Sequence, residues 1–217
     1  KLIKDYGNNS LRKVKTDKAD ALKIARYALD NWQDLCQYTS MDTSRNQLKT
    51  LNQQFAFYTK QKTASKNNLI ALLDMTYPGV NTLFDSPARA DGSEKWVDFA
   101  ESFWHVDCVR SIGLTAFTER YRKWCKRHGY NFQPQKPQEI YCAAKNLIAV
   151  FPKDAMTKSL IKQAILQLNT VSQTVEHLRA EMNHLASQLP EYPVVMAMYG
   201  VGESLGPQLM AEIGDIS

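Results

Sequence analysis

The chain has 217 residues and a mass of 24.7 kDa, enough for one large domain or two small ones. Hydrophobic residues make up 44% and charged residues 23%, an ordinary globular composition, and the net charge of +5 permits a nucleic-acid partner without requiring one. No apolar run approaches the ~18 residues of a membrane span, and the four cysteines form no CxxC pair. The composition therefore argues against a membrane protein and a disulfide scaffold, and it favours a reduced, cytosolic protein.

The first third of the chain is predicted to form two helices with a polar stretch between them. Residues 1–15 are irregular and basic, and a helix begins near Thr16 or Asp17. A second, long helix runs from about 44 to 75 and stops before Pro78-Gly79. Its apolar residues recur at helical spacing: Leu48, Leu51, Phe55, Tyr58, Leu69 and Leu72.

The middle of the chain, residues 80–152, is predicted to form several shorter helices. Turn-forming residues interrupt it at 87–92, at 129–137 and at 151–152. Few alternating β-branched patterns occur anywhere, so the sequence favours a mainly α fold with this segment as a helical insert.

A heptad repeat occupies the segment that follows. Ile161, Leu168, Val175, Met182 and Leu189 lie seven apart, and Ala164, Val171, Leu178 and Leu185 lie three residues after the first four of them. This spacing favours a coiled coil, within one chain or between two, over a single amphipathic helix. The helix at 44–75 is a natural antiparallel partner. A coiled coil between chains would place Leu168, Val175, Leu178, Met182 and Leu185 at a dimer interface.

The end of the chain is predicted to form a helix, a Gly200-Val201-Gly202 hairpin and a second helix. A glycine-rich turn before a helix exposes backbone N–H groups, which can hold a nucleic-acid phosphate without reading sequence. A tight turn between two packed helices explains the same residues, so both interpretations stay open.

Two carboxylates, Asp17 and Asp20, lie three residues apart at the start of the first helix and share one face. Such a pair can share a Mg²⁺ ion, and the neighbouring Lys13, Lys15 and Lys18 would attract a polyanion. Helix capping is the competing explanation, because Asp is favoured in a first turn.

Two further groups of residues have a functional and a structural explanation. His105 with Cys108 and Cys125 with His128 could supply a Cys₂His₂ zinc set, but their amphipathic surroundings favour core packing and we do not expect zinc. The segment 120–130 alternates cations with aromatic rings, which suits phosphates and unpaired bases. It equally suits a solvated helix face with its aromatic residues turned inward.

Two motifs together resemble one known family. The segment Lys15-Thr16-Asp17-Lys18-Ala19-Asp20-Ala21 is similar to the KTDxxDA signature near the end of the RuvC-like DEDD domain of a class of insertion-sequence transposases. The segment that runs from Tyr199-Gly200-Val201-Gly202 to Asp215 is similar to the opening of that family's C-terminal transposase domain. The family has a long-helix, coiled-coil region between them, in the same order.

The resemblance implies a DNA transposase or recombinase of a bacterial mobile element. Family members bind DNA, and some are guided by a bridge RNA that the element encodes. It implies that Asp17 and Asp20 are the third and fourth acids of a Mg²⁺-binding DEDD set, and that the nucleophile is a serine of the C-terminal domain. The first two acids and that serine are expected outside this chain, so Ser204 and Ser217 are not assigned and the chain alone is expected to be inactive.

The resemblance also implies a domain organisation and a location. The expected domains are the end of a RuvC-like α/β catalytic domain, a long coiled-coil helix, a helical insert, a second coiled-coil helix and the start of a helix-hairpin-helix-like C-terminal domain, at 1–35, 36–79, 80–152, 153–191 and 192–217. The expected location is the bacterial cytoplasm, at the nucleoid, with a homo-oligomer formed through the coiled coil. The alternative is a non-catalytic helical module for nucleic-acid binding or dimerisation.

Overall fold

A computed structural model describes residues 17–31 and 43–213, which fall into two units that divide between residues 41 and 42. Helices make up most of the described residues, and no strand occurs among them, so the prediction of a mainly α chain is confirmed. The first unit contributes helix α1, Asp17–Asp30, which lies in the segment where the sequence predicts a helix. Its apolar side chains Leu22, Ile24 and Leu29 are exposed.

The second unit is built on two long helices that pack against each other. Helix α2 spans Thr43–Asp74 and helix α7 spans Ala155–Ala186, with 32 residues each. They run antiparallel, because Arg45 near the start of α2 pairs with Glu191 just beyond the end of α7. Further along, Lys62 of α2 lies 3.8 Å from Glu176 of α7.

The heptad stripe of α7 is occupied within the chain. Seven of its positions are buried, namely Ile161, Ala164, Leu168, Val171, Val175, Met182 and Leu189, while Leu178 and Leu185 are half-buried. Two apolar cores lie along the helix pair. Leu69 and Leu73 of α2 are buried in one of them, and Leu48 is buried in the other. The two long helices are therefore paired inside one chain. A coiled-coil supercoil, and the dimerisation role of the stripe, stay predictions.

The segment between the two long helices forms short helices around an aromatic core. A 3₁₀ turn at Val80–Thr82 is followed by α3 (Lys95–Ser102), α4 (Asp107–Arg110), α5 (Leu114–His128) and α6 (Lys136–Lys145). Phe99 of α3 is fully buried, and five rings surround it with centroids 4.7–6.3 Å away, those of Tyr77, Phe84, Phe103, Tyr121 and Trp124.

Met75 and Thr76, just beyond α2, bind the middle and the end of this insert. The Thr76 hydroxyl donates to the carbonyl of Trp104 at 2.9 Å, and the Thr76 carbonyl accepts from the N–H of Val106 at 3.0 Å. The Met75 carbonyl accepts from the N–H groups of Val150 and Phe151 at 2.8 and 2.9 Å. These bonds satisfy backbone groups that the end of α2 would otherwise leave open.

Two C-terminal helices, α8 (Tyr192–Met196) and α9 (Leu205–Ile213), pack on the other end of the helix pair. Met210 and Ala211 of α9 are buried there, and the Asn52 amide of α2 donates to Glu212 at 2.8 Å.

The loop before α3 approaches α7 closely at Gly92. This glycine is buried with φ +80°, and a Cβ added to it would lie 3.0 Å from the carbonyl oxygen of Ser172. No side chain fits between the loop and the backbone of α7, so glycine is required by both the dihedral angle and the space.

Replacing Gly92 with alanine is expected to destabilise the chain more than the same change at Gly79. Gly79 has a similar φ of +74°, but its nearest non-neighbouring atom would be 3.8 Å from an added Cβ. Both variants lose about 1–2 kcal/mol from the left-handed backbone, and Gly92→Ala loses a further ~1–3 kcal/mol from overpacking. Urea unfolding of both variants measures the difference. Equal losses would contradict the close docking of the loop on α7.

Two leucines of α7 give a matched test of the helix pairing. Leu168 is 1% exposed and Leu166 is 61% exposed. Leu168→Ala is expected to reduce the free energy of unfolding by about 2–5 kcal/mol, because it leaves a cavity between α7 and the rest of the core. Leu166→Ala should change it by less than about 0.5 kcal/mol. Thermal and urea unfolding report both, and similar effects would contradict the orientation of α7.

Candidate nucleic-acid interface

The first candidate site lies on α1. Asp17 is the first residue of the helix and Asp20 follows three residues later, so the two positions share a face. The side chains of Asp20 and Lys18 are exposed to solvent. The Asp17 side chain lies outside what the structure describes, as do Lys13 and Lys15 entirely. The geometry therefore leaves the Asp20 carboxylate accessible to a cation from solvent.

The donor chemistry of Asp17 and Asp20 fits Mg²⁺, which prefers carboxylate oxygens and keeps several waters. Within residues 17–31 and 43–213, no group of three or more His, Cys, Asp or Glu side chains is arranged to hold a metal ion. Two carboxylates are fewer than two-metal chemistry uses, so this pair requires further ligands.

The second candidate site is the hairpin between α8 and α9. Gly200 has φ +81°, and both Gly200 and Gly202 are exposed with open space where a Cβ would be. The Gly202 carbonyl accepts the N–H groups of Leu205 and Gly206 at 3.0 and 2.9 Å and so starts α9. The hairpin is a tight turn between packed helices, and its backbone remains accessible to a phosphate.

The residues of the possible zinc set have structural partners. His105 is buried, and its Nδ1 accepts from the N–H of Asp107 at 3.0 Å, which leaves Nε2 to donate to the carbonyl of Phe151 at 3.0 Å. Cys125 is buried, and burial raises the pKa of its thiol, which disfavours the thiolate that zinc requires. Core packing accounts for these side chains.

Helix α5 separates its cations from its aromatic residues. Tyr121 and Trp124 are 1% and 3% exposed, and they belong to the aromatic core around Phe99. The exposed cations of the helix are Arg120, Arg122, Lys123, Lys126 and Arg127. The rings are thus turned inward and cannot stack on bases, while the cations form a positively charged outer face.

A cationic pocket lies beside the end of α5, and sequence reasoning missed it. Arg89 from the loop and Lys95, the first residue of α3, line a cavity of about 370 Å³ together with Tyr130, Asn131 and Gln133. About 40 residues separate its two sides in the chain, so no linear motif marks it. The only signal is that both sides fall in predicted breaks between helices.

Comparison with known proteins bears on the start of the chain. Residues 1–78 match the family model DEDD_Tnp_IS110, described as a transposase. This part of the chain is similar to the DEDD transposase family. The match confirms the family resemblance seen at Lys15 to Ala21, and it indicates a DNA-processing enzyme. No curated protein and no solved structure matches the chain.

The DEDD transposase match includes α1, with both acids, and continues through α2. It therefore covers about a third of the chain, and the boundary at residue 35 between a catalytic domain and the long helix stays a prediction. In the ranges that the structure describes, no helix combines the length and the apolar character needed to cross a bilayer.

Proposed function

We propose that this chain is part of a transposase that cleaves and transfers DNA strands for a mobile insertion element, with Asp17 and Asp20 among its catalytic acids. The observation that carries the proposal is the transposase match over residues 1–78, which encloses both acids. The position of the acids supports it, since they begin α1 on one face and Asp20 is open to solvent.

The acids, the lysines and the hairpin glycines of the chain have different roles in this proposal. Asp17 and Asp20 supply carboxylate oxygens that would hold Mg²⁺, and the ion would supply stabilisation of the charge that develops on a reacting phosphate. Lys13, Lys15 and Lys18 place positive charge beside the acids and attract the DNA backbone. Gly200 and Gly202 offer backbone N–H groups to a second phosphate at the hairpin.

Three further parts of the proposal concern the complete enzyme. The reaction would use further acids and a nucleophile besides Asp17 and Asp20. A guide RNA encoded by the element selects the DNA, and the enzyme acts in the bacterial cytoplasm, at the nucleoid. The long helices join subunits so that two DNA ends are processed in one assembly.

A non-catalytic nucleic-acid-binding module is the second candidate function. The exposed cations of α5 favour it, because they give the insert a basic face without any catalytic group. The two functions differ in what they require of Asp17 and Asp20. A binding module needs these acids only for the stability of α1, whereas a transposase needs them for the reaction.

Asp17→Asn and Asp20→Asn are each expected to abolish transposition by the complete enzyme, because the amide removes a negative oxygen ligand. Asp30→Asn, on the last turn of the same helix, is the control and should retain activity. A plasmid-based transposition assay measures all three, with protein abundance checked on immunoblots. Full activity of Asp17→Asn or Asp20→Asn would contradict the metal-binding role.

The assembly proposal depends on the half-buried part of the α7 stripe. Leu168, Val175 and Met182 are buried within the chain, whereas Leu178 and Leu185 are only half-buried. Leu185 and Leu51 line a groove of about 600 Å³ between α2 and α7. This groove leaves apolar surface that a second subunit can cover.

Light scattering over a concentration series is expected to give a mass near twice 24.7 kDa for the chain. Leu185→Glu should return the mass to that of a monomer, because a carboxylate in the groove cannot be buried without a partner. Leu166→Glu places the same charge on the exposed face of α7 and should leave the dimer intact. A wild-type chain that stays monomeric at every concentration would contradict dimerisation through this stripe.

A further inference from the structure

The pocket beside the end of α5 concentrates positive charge. The Arg89 guanidinium lies 4.1 Å from the centre of the Tyr130 ring, and the Lys95 ammonium lies 5.0 Å from the same ring. Lys136, at the start of α6, and Lys95 lie 5.9 and 4.9 Å from the Phe84 ring. Three cations from three segments of the insert therefore converge on two aromatic rings.

Nearby carboxylates neutralise only part of this charge. Glu94 is paired with Lys66 at 2.7 Å and Asp98 accepts from the Tyr130 hydroxyl at 2.6 Å, while Lys136 pairs with Glu139 at 3.1 Å. Among the residues that the structure describes, no carboxylate oxygen lies within 4.0 Å of a side-chain nitrogen of Arg89 or Lys95, so neither cation makes an ion pair there. Hydrogen bonds from Ser93 and, to a smaller extent, the charge of Arg89 lower the pKa of Asp91, so this carboxylate senses Arg89 without pairing with it. Arg89 and Lys95 therefore present charges to the pocket that no ion pair within the described residues compensates.

The environment of Lys95 disfavours the charged form of its ammonium group. Burial lowers the pKa of its ammonium group, and the charges of Lys136 and Arg89 lower it further. An anion in the pocket would reverse both effects, because it compensates the lost solvation and screens the neighbouring cations.

The size and lining of the pocket indicate which anion fits. The Tyr130 ring stacks on the Trp124 ring, with centroids 5.1 Å apart, and the Arg89 guanidinium lies over it. The Tyr130 ring is therefore not free to stack on a base. The polar amides of Asn131 and Gln133 line the cavity and can donate to an oxygen. A cavity of about 370 Å³ holds a phosphate with part of its sugar.

We propose that the Arg89–Lys95 pocket binds a backbone phosphate of a nucleic acid, independently of base sequence. The exposed Lys126 and Arg127 in the last turn of α5, directly before Gly129 of the pocket, extend the positive surface along which the strand runs. The inference rests on the proposed function, since a transposase must hold nucleic acid away from the reacting phosphate. The site lies in the insert and is separate in the chain from Asp17, Asp20 and the Gly200–Gly202 hairpin.

Lys95→Gln is the decisive variant, because it removes one charge from a side chain that makes no ion pair within the described residues. Lys158→Gln is its matched control, since Lys158 is an exposed cation on α7 and its replacement lowers the net charge equally. The probes are fluorescein-labelled 20-nucleotide single-stranded DNA, single-stranded RNA of the same sequence, and the corresponding duplex DNA. Anisotropy titrations of the 217-residue chain at several KCl concentrations give the affinity and its salt dependence.

Lys95→Gln is expected to weaken binding about tenfold and to reduce the slope of log affinity against log salt by about 0.7–0.9, the contribution of one phosphate contact. Lys158→Gln should change the affinity less than twofold, and Lys95→Arg, which keeps the charge, should restore most of it. The probe whose binding is lost identifies the strand as DNA, RNA or both. Thermal unfolding of each variant confirms that the pocket mutations leave the insert folded.

Equal effects of Lys95→Gln and Lys158→Gln on every probe would overturn the assignment, as would a wild-type chain that binds none of the probes. Either result would leave the proposed transposase function to be judged by Asp17→Asn and Asp20→Asn in the transposition assay. The failure of one proposal is therefore distinguishable from the failure of the other.

Discussion

The antiparallel packing of α2 on α7 is the constraint on which the second unit depends. Neither helix could bury its apolar stripe alone, and most of the stability of such helices comes from tertiary packing and not from helix propensity. Once paired, the two helices provide opposite ends on which the rest is built. One end carries the insert with its aromatic core, and the other carries α8 and α9.

This arrangement separates the two surfaces of the second unit that we propose bind nucleic acid, the Arg89–Lys95 pocket and the Gly200–Gly202 hairpin. The loop with Arg89 docks on α7 at Ser172, and Glu94, next to Lys95, pairs with Lys66 of α2. Helix α9 is held to α2 at Asn52. Asn52 and Lys66, the two attachment points on α2, are fourteen positions apart, which corresponds to about 21 Å along the helix axis. The packed helix pair therefore sets the spacing between the pocket and the hairpin.

Local sequence signals predicted the long elements well. A helix occurs at Asp17–Asp30, where apolar residues recur at helical spacing, and the Pro78-Gly79 turn follows the end of α2 at Asp74. The Asp154 side chain accepts from the N–H of Thr157 and so caps α7, the helix that the heptads marked. Because each signal lies within a few residues of its effect, one sequence suffices to find it.

Features that depend on distant residues could not be predicted in this way. The sequence alone does not show whether the rings of α5 face inward. In the structure they do, because Tyr121 and Trp124 pack against Phe99, more than 20 residues earlier in the chain. The Arg89–Lys95 pocket depends on two turns that are far apart in the chain and adjacent in the fold. The sequence indicates α2 as the partner of the α7 stripe, and the structure adds that Leu178 and Leu185 stay half-buried. For Asp17 and Asp20, the family resemblance carried the chemical assignment, because their spacing alone also fits a helix cap.

The hydrogen bonds at Met75 and Thr76 have a consequence for the modularity of this chain. Met75, at the entry of the insert, accepts from Val150 and Phe151 at its exit, so the two ends lie next to each other, while Thr76 bonds to residues 104–106 in its middle. An element whose two ends meet can be lengthened, shortened or exchanged while the helices that carry it keep their register. Such an exchange would expose Leu69, Leu73 and Ile161, which now lie in the core that the insert shares with both long helices. A shortened chain would thus need polar residues at these three positions, and a replacement insert would need its own apolar face to cover them.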